Sequence, residues 1–124
     1  MTTVIAIDPS LSATGLVVWR SRMPLHIETV RTTGWESAHG WNEPQRHDRI
    51  SSAITGFVET TGGTVAVIED ILKPSQEMSK GMATLDLARL RGVIEVDLFR
   101  LGVPFTRVHH ATMNAFCRAG KSAK

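Results

Sequence analysis

The sequence predicts a single α/β domain that consists of a mixed five-stranded sheet with helices on its faces. Short apolar runs rich in β-branched residues, typical of strands buried on both faces, occur at residues 4–7 and 65–68. Longer segments with helical features occupy residues 44–60 and 82–101. Each helix lies between two strands, and such crossovers imply parallel pairing, whereas the short links between the first strands imply antiparallel pairing.

Three strands open the predicted sheet. The first, at residues 4–7, ends before Pro9, because proline lacks the backbone N–H that a central strand must donate. The second is predicted at residues 15–19, and the short link before it favours a hairpin. A weaker third strand, at residues 25–32, is expected at an edge of the sheet.

The second half of the domain alternates helices with strands. The helix at residues 44–60 carries one apolar stripe at helical spacing, and Gly62 and Gly63 end it. The stripe consists of Ile50, Ala53, Ile54, Phe57 and Val58. The remaining predicted elements are a strand at 65–68, a helix at 82–101, a strand at 103–108 and one or two helical turns at 111–117.

Length and composition fit one packed domain over residues 1–124. The chain is 42% hydrophobic, and domains commonly have about 100–150 residues. The net charge of +2 permits a polyanionic partner without requiring one. Residues 107–124 contain four cations and no acid, a pattern that fits either phosphate contacts or a solvated tail.

The cysteine content and the lack of targeting signals indicate the cellular compartment. Cys117 is the only cysteine, so no internal disulfide can form. The N-terminal residues lack the basic and apolar regions of a signal peptide, and no apolar run approaches the roughly 20 residues that a membrane span needs. We therefore expect a cytoplasmic protein with no membrane partner.

Acidic residues stand at the ends of two predicted strands. Asp8 follows the first strand, and Glu69 follows the strand at residues 65–68. If a right-handed crossover places those strands side by side, about 4.8 Å apart, both carboxylates lie at the same edge of the sheet. Hard oxygen ligands there suit Mg²⁺ or Mn²⁺, which activate water and stabilise the leaving oxygen of a phosphodiester. The competing interpretation is that both acids only form turns or solvated caps.

Five ordered segments carry a resemblance to a known family. They are IAIDPSLSATGLVV at residues 5–18, AVIED at 66–70, LARLRGVIEV at 87–96, GVPFTRVHHATM at 102–113 and AGKSAK at 119–124. Together they resemble the RuvC-type Holliday junction resolvases, and small phage-encoded members in particular. The similarity covers essentially the whole chain, and the ordered set is more specific than any one segment.

The resemblance implies an RNase H-like fold with sheet order 3-2-1-4-5, and a homodimer that cleaves Holliday junctions or other branched DNA with Mg²⁺. It implies a role in DNA recombination and repair, in the cytoplasm of a bacterium or of a phage-infected host. Asp8 would bind both metal ions, and Glu69 would be the second ligand. Two further ligands are expected on a helix beyond the position of Lys124, so we expect a nuclease domain that is C-terminally truncated relative to the family.

Several residues are expected to contact DNA. Ser10 and Thr14 lie in the turn after the first strand, where a phosphate contact and ordinary turn chemistry explain them equally well. The basic candidates are Lys73, Arg118, Lys121 and Lys124. The sequence departs from the family pattern at Leu72, where many members carry an aromatic residue, and at Asn114 and Ala115, where lysines are frequent.

Two other functions are considered beside the nuclease. An RNase H-like domain that binds DNA without cleaving it is the alternative, since only two of four expected metal ligands are in the sequence. Half of a sugar-kinase or actin-like ATPase would also begin with a strand, an acid and a turn rich in glycine, serine and threonine. That fold needs a second phosphate hairpin, and the sequence contains none.

Overall fold

A computed structural model of the chain describes residues 2–10, 12–32, 43–69 and 82–108. The strands are β1 (Thr3–Asp8), β2 (Ala13–Arg20), β3 (Met23–Arg31), β4 (Val65–Glu69) and β5 (Phe105–Val108), and the helices are α1 (Glu43–Thr61) and α2 (Met82–Arg100). The helical turns predicted at residues 111–117 lie outside the described residues.

The five strands form one mixed sheet with the order β3-β2-β1-β4-β5, which confirms the predicted order. The first three strands pair antiparallel, as their short links require. The strands β4 and β5 each follow a helix, and they pair parallel to β1 and to β4 respectively. The crossover through α1 therefore places β4 directly beside β1.

The turn between β2 and β3 is shorter than the sequence predicted. Ser21 and Arg22 form a two-residue turn with φ angles of 53° and 65°. Positive φ at both central residues is the mark of a type I′ turn, whose twist matches that of the flanking strands. The third strand consequently begins at Met23 rather than at residue 25.

The last strand begins later than predicted, because Val103 belongs to the end of α2. Its N–H donates to the carbonyl of Leu98 at 2.9 Å, and Gly102 adopts a φ of 73°. This is a helix C-cap, in which glycine takes the left-handed conformation and the next N–H satisfies a carbonyl of the last turn. The prediction that the strand starts at residue 103 was therefore wrong, and β5 starts at Phe105.

Both helices pack on the same face of the sheet and contact each other. The core between them and the sheet consists of fully or almost fully buried aliphatic side chains and one phenylalanine. Its members from the sheet are Ile5, Ile7, Leu16, Val18, Val30, Ala66 and Ile68, and its members from the helices include Ile50, Ile54, Phe57, Leu90, Ile94 and Leu98. The predicted stripe of α1 is thus the surface that covers the sheet.

Candidate active site

The two faces of the sheet have different surroundings, and strand alternation decides which residues belong to each. Ile5 and Ile7 of β1 point into the core beneath the helices, so the residues between and after them point to the opposite face. Ala6, which is buried, and Asp8, which is exposed, are therefore on that second face, which we call the open face because neither described helix packs on it. Among the described residues, neither helix contributes to the cover of this face.

Asp8 and Glu69 lie side by side at the carboxyl edge of the open face. The parallel register pairs Ile7 with Ile68, and the two acids are the next residues of their strands. Adjacent positions in register point to the same face, and neighbouring strands are about 4.8 Å apart. Asp8 is exposed, whereas Glu69 has only 9% of its surface exposed. The strands thus place side by side the two acids that the sequence predicts at this edge.

A glycine of the neighbouring strand lies on the other side of Asp8. The antiparallel register pairs Asp8 with Gly15 of β2. A Cβ atom added at Gly15 would lie 3.7 Å from the Cβ of Asp8, so the glycine leaves room beside the carboxylate. Reading the sequence for acids and cations could not find this residue, because a glycine has no functional group and its place depends on the register.

The turn between β1 and β2 is held by the pair that was expected to contact phosphate. The hydroxyl of Thr14 donates to the carbonyl of Ser10 at 2.6 Å and accepts from the N–H of Ser10 at 3.1 Å. The hydroxyl of Ser10 accepts from the N–H of Ala13 at 3.3 Å. Thr14 is fully buried, whereas Ser10 is partly exposed. The observed role of Thr14 is to close the turn, Ser10 is the more accessible of the two, and contact of either residue with a phosphate stays a prediction.

The chemistry of the donor pair fits a divalent cation of the Mg²⁺ type. Mg²⁺ in proteins is commonly held by one or two carboxylates, with waters and substrate phosphate oxygens completing its shell. Asp8 and Glu69 supply two such carboxylates at one edge. Within the described ranges, no group of three or more His, Cys, Asp or Glu residues could hold a metal ion. The carboxylates of Asp8 and Glu69 are therefore the donors that would hold such an ion, and their role as ligands stays a prediction.

The four basic residues that are expected to contact DNA lie outside the described part of the chain. They are Lys73, Arg118, Lys121 and Lys124. Their contacts with DNA stay predictions.

Solved structures that match this one share its sheet and its helices. The RuvC of Thermus thermophilus in complex with Holliday junction substrate matches with a TM-score of 0.74 and 19% identity, over 90% of this chain and 66% of that chain. The fold is RuvC-like. A second Thermus thermophilus RuvC structure matches with a TM-score of 0.68 and 20% identity, over 87% of this chain and 64% of that chain.

A eukaryotic protein gives the same result at lower identity. The yeast mitochondrial Holliday junction resolvase Ydc2 matches with a TM-score of 0.62 and 12% identity, over 99% of this chain and 57% of that chain. The chain thus spans about two thirds of the bacterial RuvC structures. No family model matches the sequence, and no curated protein does.

Neither helix in the described ranges combines the length and the apolar character that crossing a bilayer requires.

Proposed function

We propose that this chain is the core of a metal-dependent endonuclease that cuts Holliday junctions or other branched DNA. The observation that carries the proposal is the adjacency of Asp8 and Glu69 at the carboxyl edge of β1 and β4, on the open face. Ligands of open α/β sheets bind beyond the carboxyl ends of the strands. The RuvC-like fold supports the choice of branched DNA, since one matching structure holds a Holliday junction substrate.

The residues of the site have separable tasks in this proposal. A bound Mg²⁺ ion would supply an activated water and charge stabilisation at the phosphodiester. Glu69, largely buried at the end of β4, would offer a carboxylate in a fixed position. Asp8, exposed between Glu69 and Gly15, would offer a carboxylate that substrate oxygens can approach. The turn closed by Thr14 holds the end of β1 in place.

The proposal is tested by cleavage of a synthetic four-way junction by the full-length protein in Mg²⁺. Asp8→Asn and Glu69→Gln should each lower the single-turnover rate by about 10³-fold or more, since each removes a charged oxygen from the metal site. Glu59→Gln is the matched control, because Glu59 is an exposed acid on α1. Cleavage that is unchanged in Asp8→Asn would refute the proposal. Junction binding by a wild-type protein that never cleaves would instead favour the DNA-binding alternative.

Metal binding can be measured separately from activity. Mn²⁺ is paramagnetic and speeds water-proton relaxation more strongly when it is bound to a protein, so its affinity can be titrated without DNA. We expect Asp8→Asn to weaken Mn²⁺ binding and Glu59→Gln to leave it unchanged. Equal Mn²⁺ binding by both variants would remove the metal from the proposal, whatever the cleavage assay shows.

The outer surface of α2 supports a homodimer as part of this proposal. Leu85 and Phe99 are 51% and 80% exposed, and each lies seven residues from the exposed Gly92, one on either side. Seven residues are about two helical turns, so the three positions share one face. Two α2 helices that cross antiparallel at Gly92 would place Leu85 of each copy against Phe99 of the other, as a two-fold interface requires. Gly92 has open space where a Cβ would be, which permits close approach.

The dimer is tested by sedimentation equilibrium of Phe99→Ser. The variant should dimerise at least about tenfold more weakly than wild type, because it loses two buried phenylalanine contacts per dimer. Met23→Ser is the control, since Met23 is a hydrophobic residue of β3 that is 52% exposed. An unchanged dimerisation constant in Phe99→Ser would exclude this face as the interface.

A further inference from the structure

The open face continues beyond the two acids to the edge strand β3, where it carries polar side chains. The register pairs Gly15 with Thr29, and Ala13 with Arg31. Asp8 pairs with Gly15, so Thr29 lies in the same row as Asp8, two strands away. Arg31 lies one row further toward the edge at which Asp8 stands. All of these positions have the same alternation and therefore point to the open face.

The strand geometry sets the distance between Arg31 and the acids. Two strand spacings and a two-residue step along β3 place the Cα atoms of Asp8 and Arg31 about 12 Å apart. Between them lie only Gly15 and Ala13, which have the two smallest side chains. Among the described residues, no large side chain of the sheet therefore separates the carboxylates from the arginine on the open face.

The backbone at Arg31 is held firmly in place. Its two neighbours in the chain, Val30 and Thr32, are almost completely buried. The N–H of Thr32 donates to the carbonyl of Ser12 at 3.0 Å, which ties the end of β3 to the turn after β1. Since the backbone at Arg31 is already fixed, binding an anion there orders only the side chain.

The side chain of Arg31 is available to an anion. It is exposed, and it makes no ion pair within the described part of the chain. Arg107 of β5, by contrast, is already paired with an acid of this chain. It forms a bidentate pair with Glu95 of α2 at 2.7 and 2.8 Å, on the helix side of the sheet.

We propose that Arg31, assisted by the hydroxyl of Thr29, binds a DNA phosphate that neighbours the phosphate to be cleaved at Asp8 and Glu69. The inference rests on the proposed nuclease function and adds the direction in which the DNA strand leaves the site. The strand passes over Gly15 and Ala13 toward β3. A planar guanidinium suits this task, because it can donate two parallel hydrogen bonds to phosphate oxygens.

The first test measures the affinity of the full-length protein for a four-way junction, without divalent metal, at several salt concentrations. Arg31→Gln should weaken binding about tenfold near 0.1 M salt and reduce the slope of log K against log salt by about 0.9. Arg31→Lys should retain the slope, since it keeps the charge. Arg49→Gln is the matched control, because Arg49 is an exposed arginine on α1. Equal slopes for Arg31→Gln and Arg49→Gln would overturn the inference.

The second test identifies the DNA phosphate that Arg31 contacts. Junctions carry a single neutral methylphosphonate, placed one or two nucleotides to either side of the cleaved position. One such substitution should weaken binding by wild type and have no further effect on Arg31→Gln, because both changes remove the same contact. Independent, additive losses at every position would overturn the inference and leave the nuclease proposal intact. A wild-type protein that cleaves no branched DNA would remove the nuclease proposal itself, and this inference with it.

Discussion

The two faces of the sheet are built from alternate residues of the same strands, yet they serve opposite needs. On the helix side, Ile5, Ile7 and Ile68 are completely buried in an apolar core. On the open face, the same edge of the sheet carries the exposed Asp8, the bare Gly15 and, further out, Arg31. The helix side is packed with apolar side chains, whereas the open face carries charged side chains and a glycine.

This difference explains how a small domain can hold two carboxylates side by side without losing its stability. The residues that position Asp8 and Glu69 are their immediate neighbours Ile7 and Ile68, which pair across β1 and β4. Because those neighbours are anchored in the core, the acids are placed rigidly while facing away from it. We therefore expect a substitution on the helix side to change mainly stability, and a substitution on the open face to change mainly the proposed chemistry.

The largest expected difference in the free energy of unfolding is between substitutions of two neighbouring residues that lie on opposite faces. Ile7→Ala should lower the free energy of unfolding by about 3 kcal/mol, within the usual 2–5 kcal/mol for a buried isoleucine. Asp8→Asn should change it by less than about 1 kcal/mol, because the side chain is exposed. Urea denaturation of both variants measures the contrast. A loss in Asp8→Asn as large as that in Ile7→Ala would contradict the division of roles between the faces.

Two glycines give a smaller contrast of the same kind. A Cβ at Gly63 would collide with the side chain of Ile5, with its Cγ1 atom only 2.6 Å away, and Ile5 is completely buried. Gly63→Ala should therefore cost about 1–3 kcal/mol, as overpacking of a core does. Gly15→Ala meets only ordinary contact at 3.7 Å and should change stability by less than about 0.5 kcal/mol.

Thermal unfolding of the two alanine variants checks this prediction. Wild type and a double variant with both changes serve as references, since distant sites should act additively. If Gly15→Ala were the more destabilising of the two, the open face beside Asp8 would be packed rather than empty.

Much of the fold was predictable because its signals are local. The runs at residues 4–7 and 65–68 are apolar and β-branched, and the stripe of α1 repeats at helical spacing, so strands and helix were found close to their true bounds. The adjacency of Asp8 and Glu69 followed from the handedness of one crossover. The order of all five strands required the family resemblance, since local patterns do not specify which strand lies at an edge.

The errors and omissions arose where hydrogen bonding or register decided the outcome. Val103 is β-branched, which favours a strand, but its N–H caps α2. Gly15 and Arg31 were not selected, because their nearness to Asp8 appears only when two antiparallel registers are combined. The register itself contains an irregularity between Val18 and Trp19, which no sequence pattern indicated.

The smallest expected change in the free energy of unfolding comes from substitutions in the β2–β3 turn, which belongs to neither face. Ser21 and Arg22 both adopt positive φ, a conformation that favours asparagine and glycine. The double substitution Ser21→Asn with Arg22→Gly should therefore raise the free energy of unfolding by about 0.5–1 kcal/mol, since it relieves strain at both positions. Junction cleavage should not change, because the turn is at the opposite end of β2 from Gly15 and Asp8. Denaturation and cleavage measured on the same preparation decide the point: a more stable protein with altered cleavage would show that the turn and the open face are coupled.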